Sequence, residues 1–559
     1  MKKLFYHLGL CLSVIILTTA CGSNRLAELL EHVPADADFV ITGDIKTILE
    51  SAGGKAEGSE VKMPDYIGTM QSDQDAREME KDLQWLKNSG IDVTSGALVY
   101  LKYQDRAPFI VFAITDKDKL KKALEVEGFN ENEKVDDVDI YVKKDEGEYG
   151  SSTISYVAID GGYGYWIPEM WSDDYKGMMK RYLLSLSNHT MASTDMGDYV
   201  SEGNVACMIA KLRSELRREM TKAGMPEEMA NLLYSGYVCI NSKLDGDEAE
   251  ARLKLFDENG KAKTTEDWNK MMDIKAKIDP EALAYMSPEE SLIYAVSMKN
   301  INWDKYMDQF DSSGRLSRQD KSFLTIVKSY LEKFDGTVAI GVGLKNGKAS
   351  IETIDRGEKV LDHLPVTIVA QTKEGKAASL IKDIKSLLGN QNELFYTSTS
   401  NGLRLTLPKE AGTLWLEAKD NMLILSTLPV KKGSNPVAEH VNFQDYIFAA
   451  ALHLGKDNAL MRDFDIKNDL TATLAFNAEE GELVLKVKMT GEGETGLIER
   501  FVRSVIGMGK KYEQMREERR QQYYEDYMAA DTIAYLPKPD YYGEDSVAVE
   551  AAAPNNFAI

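Results

Sequence analysis

The chain has 559 residues, which suggests two to four domains, and its 43% hydrophobic and 28% charged residues are typical of a globular protein. Its 67 basic and 90 acidic residues give a formal charge of −23. That charge argues against nucleic acid as a partner, because nucleic-acid binding needs a basic surface, and against docking on anionic lipid by electrostatics alone.

The first twenty residues have the features of an export signal. Lys2 and Lys3 precede an apolar run over residues 8–17. That run is too short to span a bilayer, which needs about 20 residues, but it fits the hydrophobic region of a secretory signal peptide. We therefore predict a signal peptide over residues 1–20.

The junction after this run, Thr18-Thr19-Ala20-Cys21, resembles the lipobox of bacterial lipoproteins. Cys21 matches the lipidated position, whereas Thr18 stands where Leu is commonest. The resemblance implies cleavage before Cys21 and acyl chains on that cysteine, and two or more chains hold a protein durably on a membrane. Residues 21–28 would be the tether. No acidic run follows Cys21, so we expect an outer-membrane lipoprotein that faces the periplasm. The alternative is a plain export signal with a cysteine nearby by chance.

Strand and helix patterns alternate in groups along the body of the chain. Residues 97–101 and 109–114 are predicted strands because they are rich in β-branched and aromatic residues, and residues 120–124 and 212–220 are predicted helices. Residues 413–417 and 422–425 form a predicted hairpin. Grouped strands predict an α+β fold with mainly antiparallel sheets.

A weak internal repeat divides the body into two tandem, weakly similar α+β halves, residues 29–278 and 279–511. The matching segments come in the same order in both halves, and coincidence among common strand patterns is the alternative. The pairs are residues 34–41 with 288–295, 112–117 with 369–374, 153–160 with 413–420, and Asp198-Tyr199 with Asp445-Tyr446.

Residues 161–175 are rich in glycine and aromatic residues, and this stretch is the candidate ligand-binding surface. Tyr163, Tyr165, Trp166 and Trp171 offer flat faces with polar edges, which suit a sugar ring or another apolar ligand. The alternative is that these aromatic side chains fill the core.

Two cysteines of the body, Cys207 and Cys239, lie in short apolar runs. Such positions are typical of buried strands, where cysteine behaves as a small hydrophobe. We expect a structural role, although an oxidising periplasm would permit a disulfide.

The last part of the chain differs from the body. An amphipathic helix begins near Leu497, and its apolar stripe fades beyond Lys511. Residues 512–559 are predicted to be an acidic, Tyr-rich mobile tail, since they hold too little aliphatic material to bury themselves.

Motifs that carry known chemistry are missing from the sequence. There is no H-E-x-x-H metal helix and no G-x-S-x-G elbow, and Ala349 stands where a phosphate loop needs Ser or Thr. Ser379 and Lys382 have S-x-x-K spacing but fit the surface of an amphipathic helix. We therefore assign no catalytic residue, metal ligand or cofactor.

The lipobox, the opening residues Leu29 to Ala37, the acidic α+β body and the length together resemble a family of Gram-negative lipoproteins of unknown function. The resemblance implies the location and the fold class, and it brings no activity to this chain. We expect a lipid-anchored, non-enzymatic envelope protein that binds a ligand or captures an envelope partner through its tail. The alternatives are an envelope hydrolase whose site assembles only in the fold, and a carrier of apolar molecules.

Overall fold

The computed structural model describes residues 25–534 with internal gaps, and Cys21 lies outside the described residues. The gaps are residues 71–72, 103–107, 136–137, 147–151, 171–176, 178–179, 183–185, 187–188, 204, 224, 226, 265, 269–275, 305–317, 344–363, 389–395, 407–411, 459–460, 463–465, 478 and 492–495. The chain divides into two compact units, residues 1–505 and residues 506–559.

The first part of the chain contains strands β1 to β12 and helices α1 to α8. In chain order the elements are α1 (Arg25–Leu30), β1 (Phe39–Gly43), α2 (Ile45–Ser51), β2 (Lys55–Glu57), β3 (Glu60–Lys62), α3 (Ile67–Met70), α4 (Asp73–Ser89), β4 (Ile91–Leu101), β5 (Pro108–Ile114), α5 (Lys117–Val126), β6 (Asn130–Val135), β7 (Val138–Glu146), β8 (Ser152–Asp160), β9 (Tyr163–Met170), α6 (Asp195–Ser201), β10 (Ala206–Lys211), α7 (Ser214–Lys222), α8 (Glu227–Tyr234), β11 (Tyr237–Asp245) and β12 (Glu248–Phe256).

The second part contains strands β13 to β22 and helices α9 to α13. In chain order the elements are α9 (Pro280–Leu283), β13 (Glu290–Ser297), α10 (Arg318–Leu331), β14 (Phe334–Gly343), β15 (Val366–Thr372), α11 (Lys376–Leu388), β16 (Tyr396–Ser398), β17 (Gly402–Thr406), β18 (Thr413–Lys419), β19 (Met422–Ser426), α12 (Pro436–His440), β20 (Phe448–Leu454), β21 (Asp469–Asn477), β22 (Glu482–Thr490) and α13 (Leu497–Ala534).

All strands except the β2–β3 hairpin join one antiparallel sheet, so the predicted α+β fold with a mainly antiparallel sheet is confirmed. The order across the sheet is β6-β7-β8-β9-β5-β4-β1-β10-β11-β12-β22-β21-β20-β13-β14-β15-β19-β18-β17-β16. The central pairing is β12 with β22, which we call the joint.

Reading outward from the joint, both sides of the sheet have the same strand order. On one side the order is β12, β11, β10 and then β1, and on the other side it is β22, β21, β20 and then β13. In each half the last three strands of the chain are therefore followed by its first strand. The predicted hairpin of residues 413–425 is confirmed as β18–β19. It turns through Asp420 and Asn421, whose φ angles of 46° and 60° are those of a type I′ turn. The descent of both halves from one repeat stays a prediction.

The sheet has two faces with different packing. The inner face carries Val40, Ile209, Ala295 and Ala449, and it packs against α1 and α6 on one side of the joint and against α9 and α12 on the other. The outer face is the opposite one. Near β5, β8 and β9 it is covered by α4 and α5, so both faces of those strands are buried. This explains why several strands are apolar at consecutive positions.

Helix α13 is longer than the sequence analysis expects. The apolar stripe fades after Lys511, but the helix continues to Ala534. Residues 513–520 consist of Glu, Gln, Met and Arg, which have high helix propensity even without an apolar face. The start of the predicted tail is therefore helical.

Candidate functional site

The predicted aromatic residues are mostly buried in β9. Tyr165 lies in the inner-face core, whereas its neighbour Trp166 lies in the outer-face core beneath α4 and α5. Alternation along a strand places these two rings on opposite sides of the sheet. Tyr163 is partly buried, and Trp171 lies outside the described residues. The ligand-binding surface stays a prediction, but Tyr165 and Trp166 do not share one face.

A hydrogen-bonded cluster surrounds Tyr165. Its hydroxyl is 2.8 Å from His32 Nδ1, and the Tyr182 hydroxyl donates to the His32 carbonyl at 2.8 Å. Burial lowers the pKa of His32 and raises the pKa of Tyr165. Both shifts favour neutral side chains, so the cluster is best understood as polar core packing.

The inner face of the joint carries a charged cluster. Two cross-strand ion pairs lie on either side of Arg252. Lys486 Nζ is 2.8 Å from Glu250, and Lys254 Nζ is 3.2 Å from Glu482. Arg252 pairs with Glu250 and lies 4.0 Å from Glu482. Burial alone would raise the pKa of Glu250, but the hydrogen bonds from Lys486 and Arg252 outweigh it and hold the pKa low.

This cluster ties the two sides of the sheet together. Tyr199 and Tyr446 lie close to it, since Lys254 Nζ is 5.4 Å from the centre of the Tyr199 ring and Tyr446 interacts electrostatically with Lys486. Every charge of the cluster has an opposite partner, so the arrangement fits a structural link better than an unsatisfied ligand site.

The outer face close to the joint carries a partly exposed apolar surface, which we call the outer patch. Two rows of side chains cross strands β13, β20, β21, β22 and β12, and neither row contains a charged residue. The rows are Tyr294, Ala450, Leu474, Leu485 and Ala251, and Leu292, Leu452, Ala472, Val487 and Ala249. Leu292, Tyr294, Leu474 and Leu485 are 38–42% exposed.

The neighbouring region of the outer face shows how such a surface is normally covered. Helix α8 and Trp268 pack on it, and Met229, Leu232 and Leu233 of that helix contact the cluster around Leu255. The Trp268 ring meets Phe476 edge-on, with the centroids 5.0 Å apart.

The covering helix belongs to the connection between β10 and β11, residues 212–236. The corresponding connection between β20 and β21, residues 455–468, is shorter. The shorter connection explains why the outer patch keeps exposed side chains. Sequence reasoning did not find this surface, although apolar residues at consecutive positions of β13 and β20 are a signal for two apolar faces.

Glu290 is a buried carboxyl group at the start of β13. Its Oε2 accepts a hydrogen bond from the Ser287 amide at 2.9 Å, while its Oε1 has no hydrogen-bond partner within the described structure. It lies over Gly341, where a Cβ would come within 2.2 Å of Oε2. Burial raises the pKa of Glu290 to about 7, although hydrogen bonds from Thr367 and Ser287 favour the charged form.

Two of the surface pockets lie between described residues of the second part of the chain. The larger, about 540 Å³, is lined by Lys456, Asp457, Arg462, Ile466, Lys467, Asp469, Thr490 and Gly491. The smaller, about 460 Å³, is lined by Ile301, Asn302, Trp303, Asp304, Ser329, Glu332, Lys333, Lys373 and Lys376. Most of the residues that line the two pockets are charged or polar, whereas a carrier of apolar molecules requires a dry cavity.

A pair of histidines stacks near the larger pocket. The rings of His440 and His453 are 4.0 Å apart and 14° from parallel. A metal ion lies in the plane of each imidazole that binds it, so two parallel stacked rings cannot share one. Across the described ranges, no three His, Cys, Asp or Glu side chains are grouped to hold a metal. Burial lowers the pKa of His453, and His440 lowers it further.

The remaining chemistry-bearing candidates are structural in their surroundings. Cys207 and Cys239 are buried, free thiols on adjacent strands of the inner face, and burial raises the pKa of Cys207 to about 12. Ser379 is half-buried and Lys382 exposed on α11. No helix within the described ranges combines the length and apolarity needed to cross a bilayer.

Comparisons with known proteins assign no family to this chain. No family model matches it, and no curated protein matches it. A crystal structure of TP0453 (crystal form I) is similar at 9% identity and a TM-score of 0.22, over 45% of this chain and 88% of TP0453. A protein of unknown function from the DUF3598 family of Nostoc punctiforme gives 6% identity and a TM-score of 0.10, over 64% and 88%. Such low scores support no conclusion about fold or function.

Proposed function

We propose that this protein is a lipid-anchored cell-envelope protein that binds another protein through the outer patch and carries out no catalysis of its own. The observation that carries the proposal is the exposure of Leu292, Tyr294, Leu474 and Leu485 on a charge-free surface. In a chain with a charge of −23, the exposure of a contiguous apolar area calls for a functional explanation, and such areas commonly mark interaction sites.

The size of the outer patch fits this role. Five strands about 4.8 Å apart and two side-chain rows about 7 Å apart give an area of roughly 300 Å². That area is at the scale of the largest apolar patch on a soluble monomer, which is often functional. The proposal moves the partner-binding role from the tail, where the sequence analysis put it, to the body.

The binding part of the proposal is tested by photocrosslinking in cells. A photoreactive amino acid replaces Leu474 in the full chain, and the matched control replaces Val126, which is apolar and 83% exposed at the end of α5. We expect a discrete protein adduct from position 474 and none from position 126. Equal labelling at both positions, or no adduct at 474, would contradict the proposal.

The anchoring part is tested with Cys21→Ala. If Cys21 carries the lipid, the variant loses incorporation of an alkyne-tagged palmitate and leaves the membrane fraction after a carbonate wash. A variant that keeps both properties would refute lipid attachment at this residue. Cys207→Ala is the control, because that buried thiol is not expected to carry lipid.

A further inference from the structure

We infer that the protein that occupies the outer patch is a second copy of this chain, and that the segment seated on the patch is its helix α10. This inference rests on the proposed function and names the partner. The starting observation is that α10 has its own exposed apolar stripe. Phe323 and Ile326 are 65% and 57% exposed, and three-residue spacing puts them on one side of the helix.

The chain already contains the kind of contact that this inference requires. Helix α8 lays its Met and Leu side chains on the outer face next to the patch, where they pack with Leu253, Val238 and Trp268. The outer patch continues the same face across β22, β21 and β20, where Leu474 and Leu485 are 38% and 40% exposed. An amphipathic helix is therefore the shape that this sheet surface accepts, and α10 is a helix with an exposed apolar stripe.

Charge favours α10 as the occupant. Its sequence holds three basic residues, Arg318, Lys321 and Lys328, against the single acid Asp320, in a chain whose overall charge is −23. Lys328 already pairs with Asp304 and Glu332, so the basic surplus of the helix comes from Arg318 and Lys321. The turn between β21 and β22, at one end of the patch strands, carries exposed Glu479 and Glu480, and Glu479 pairs with Lys277 at 2.8 Å. A net basic helix is suited to this acidic border, and a typical acidic segment of the same chain is not.

The area favours a reciprocal exchange between two copies. The 14 residues of α10 form a helix about 21 Å long, so helix and patch each supply roughly 300 Å². One helix-on-sheet contact would bury roughly 600 Å² in total, which is below the ~1,000 Å² of a stable specific interface. Two copies that each place α10 on the other's patch bury roughly 1,200 Å², which reaches that range. Confinement to the same membrane would strengthen the pairing further.

The experiment uses two differently tagged copies of the full chain, produced in the same cells and extracted in mild detergent. Capture of one copy through its tag recovers the other if the pair forms. We expect Leu474→Lys alone and Phe323→Glu alone to lower co-capture at least tenfold. A chain that carries both substitutions should regain it, because the new lysine and glutamate then face each other across the interface. Val126→Glu, on a more exposed apolar residue elsewhere, should have no effect.

Both substituted residues are on the surface, so the fold should survive, and each variant's thermal unfolding is measured to check this. Lack of co-capture for the unaltered chain would overturn the inference. So would retention in both single variants, or a loss with Leu474→Lys that Phe323→Glu does not reproduce. A photocrosslinked adduct at position 474 with a different protein, in cells where the copies do not co-capture, would overturn the second-copy assignment and leave the proposed function intact.

Discussion

Glu290 gives a sharp test of the energetics of the fold. Its carboxyl group is buried, and burial raises its pKa from the ordinary value of 4.5 to about 7. Between these two values the folded chain keeps a proton that the unfolded chain releases. Stability should therefore fall as the pH rises through this window, and the loss should be complete above about pH 7.

The magnitude follows from the shift. One pKa unit corresponds to about 1.4 kcal/mol, so the full cost of the buried charge is about 3 kcal/mol at pH 8 and roughly 1.4 kcal/mol at pH 5.5. Glu290→Gln removes the charge and keeps an oxygen that can accept from the Ser287 amide. The variant should thus be more stable than the unaltered chain, by an amount that grows by about 2 kcal/mol from pH 5.5 to pH 8.

The assay is urea unfolding of the full chain and the variant at both pH values, followed by tryptophan fluorescence. Taking the difference between the two proteins cancels the titration of the other acids. Glu289→Gln is the control, since it removes the same charge from an exposed neighbour. The Glu289 charge is the smallest of the contributions that shift the pKa of Glu290, so the pH-dependent difference should be much smaller than for Glu290→Gln. A Glu290→Gln difference that is zero, or that is the same at both pH values, would refute the reasoning.

Two further predictions concern the joint and the thiols. Lys254→Met leaves the buried Glu482 carboxylate with Arg252, 4.0 Å away, as its remaining cationic partner, so the free energy of unfolding in urea titrations should fall by roughly 2 kcal/mol. Adding Glu482→Met should recover most of this loss, and a double variant as unstable as the single one would contradict the prediction. Cys207 and Cys239 should react with a thiol reagent only after denaturation, because both are buried and burial raises the pKa of each; fast labelling of the native chain would show that the sites open.

Local features of this fold were readable from the sequence, and long-range ones were not. The β18–β19 hairpin was predicted because Asp420 and Asn421 tolerate positive φ between two apolar strands. The strands predicted over residues 97–101 and 109–114 from their β-branched and aromatic residues lie within β4 and β5. The sequence did not show that Lys486 would face an acid on β12, because Glu250 lies on a strand far away in the chain.

For the candidate site, too, the sequence indicated the local pattern but not the long-range packing. The aromatic stretch was predicted to be a ligand-binding surface, with core-filling side chains as the alternative, and only the packing of α4 and α5 decides that Trp166 is covered. The outer patch was not predicted because its exposure depends on the length of the connection between β20 and β21, which is shorter than the connection that covers the neighbouring surface. Alternation in β22 indicates one apolar face, and no local pattern says that the β20–β21 connection is too short to hide Leu485.

The joint also determines what happens if the chain is divided between its halves. Each half alone would leave a nine-residue strand, β12 or β22, as a bare sheet edge that invites pairing with another chain. If two β12 edges met in the register of the joint, Glu250 would face Lys254 favourably, but Arg252 would face Arg252. In the intact chain Val484 occupies the position opposite Arg252. Because Val484 carries no charge, β12 pairs more favourably with β22 than with the β12 of a second chain. The joint therefore selects the correct partner strand as well as holding it.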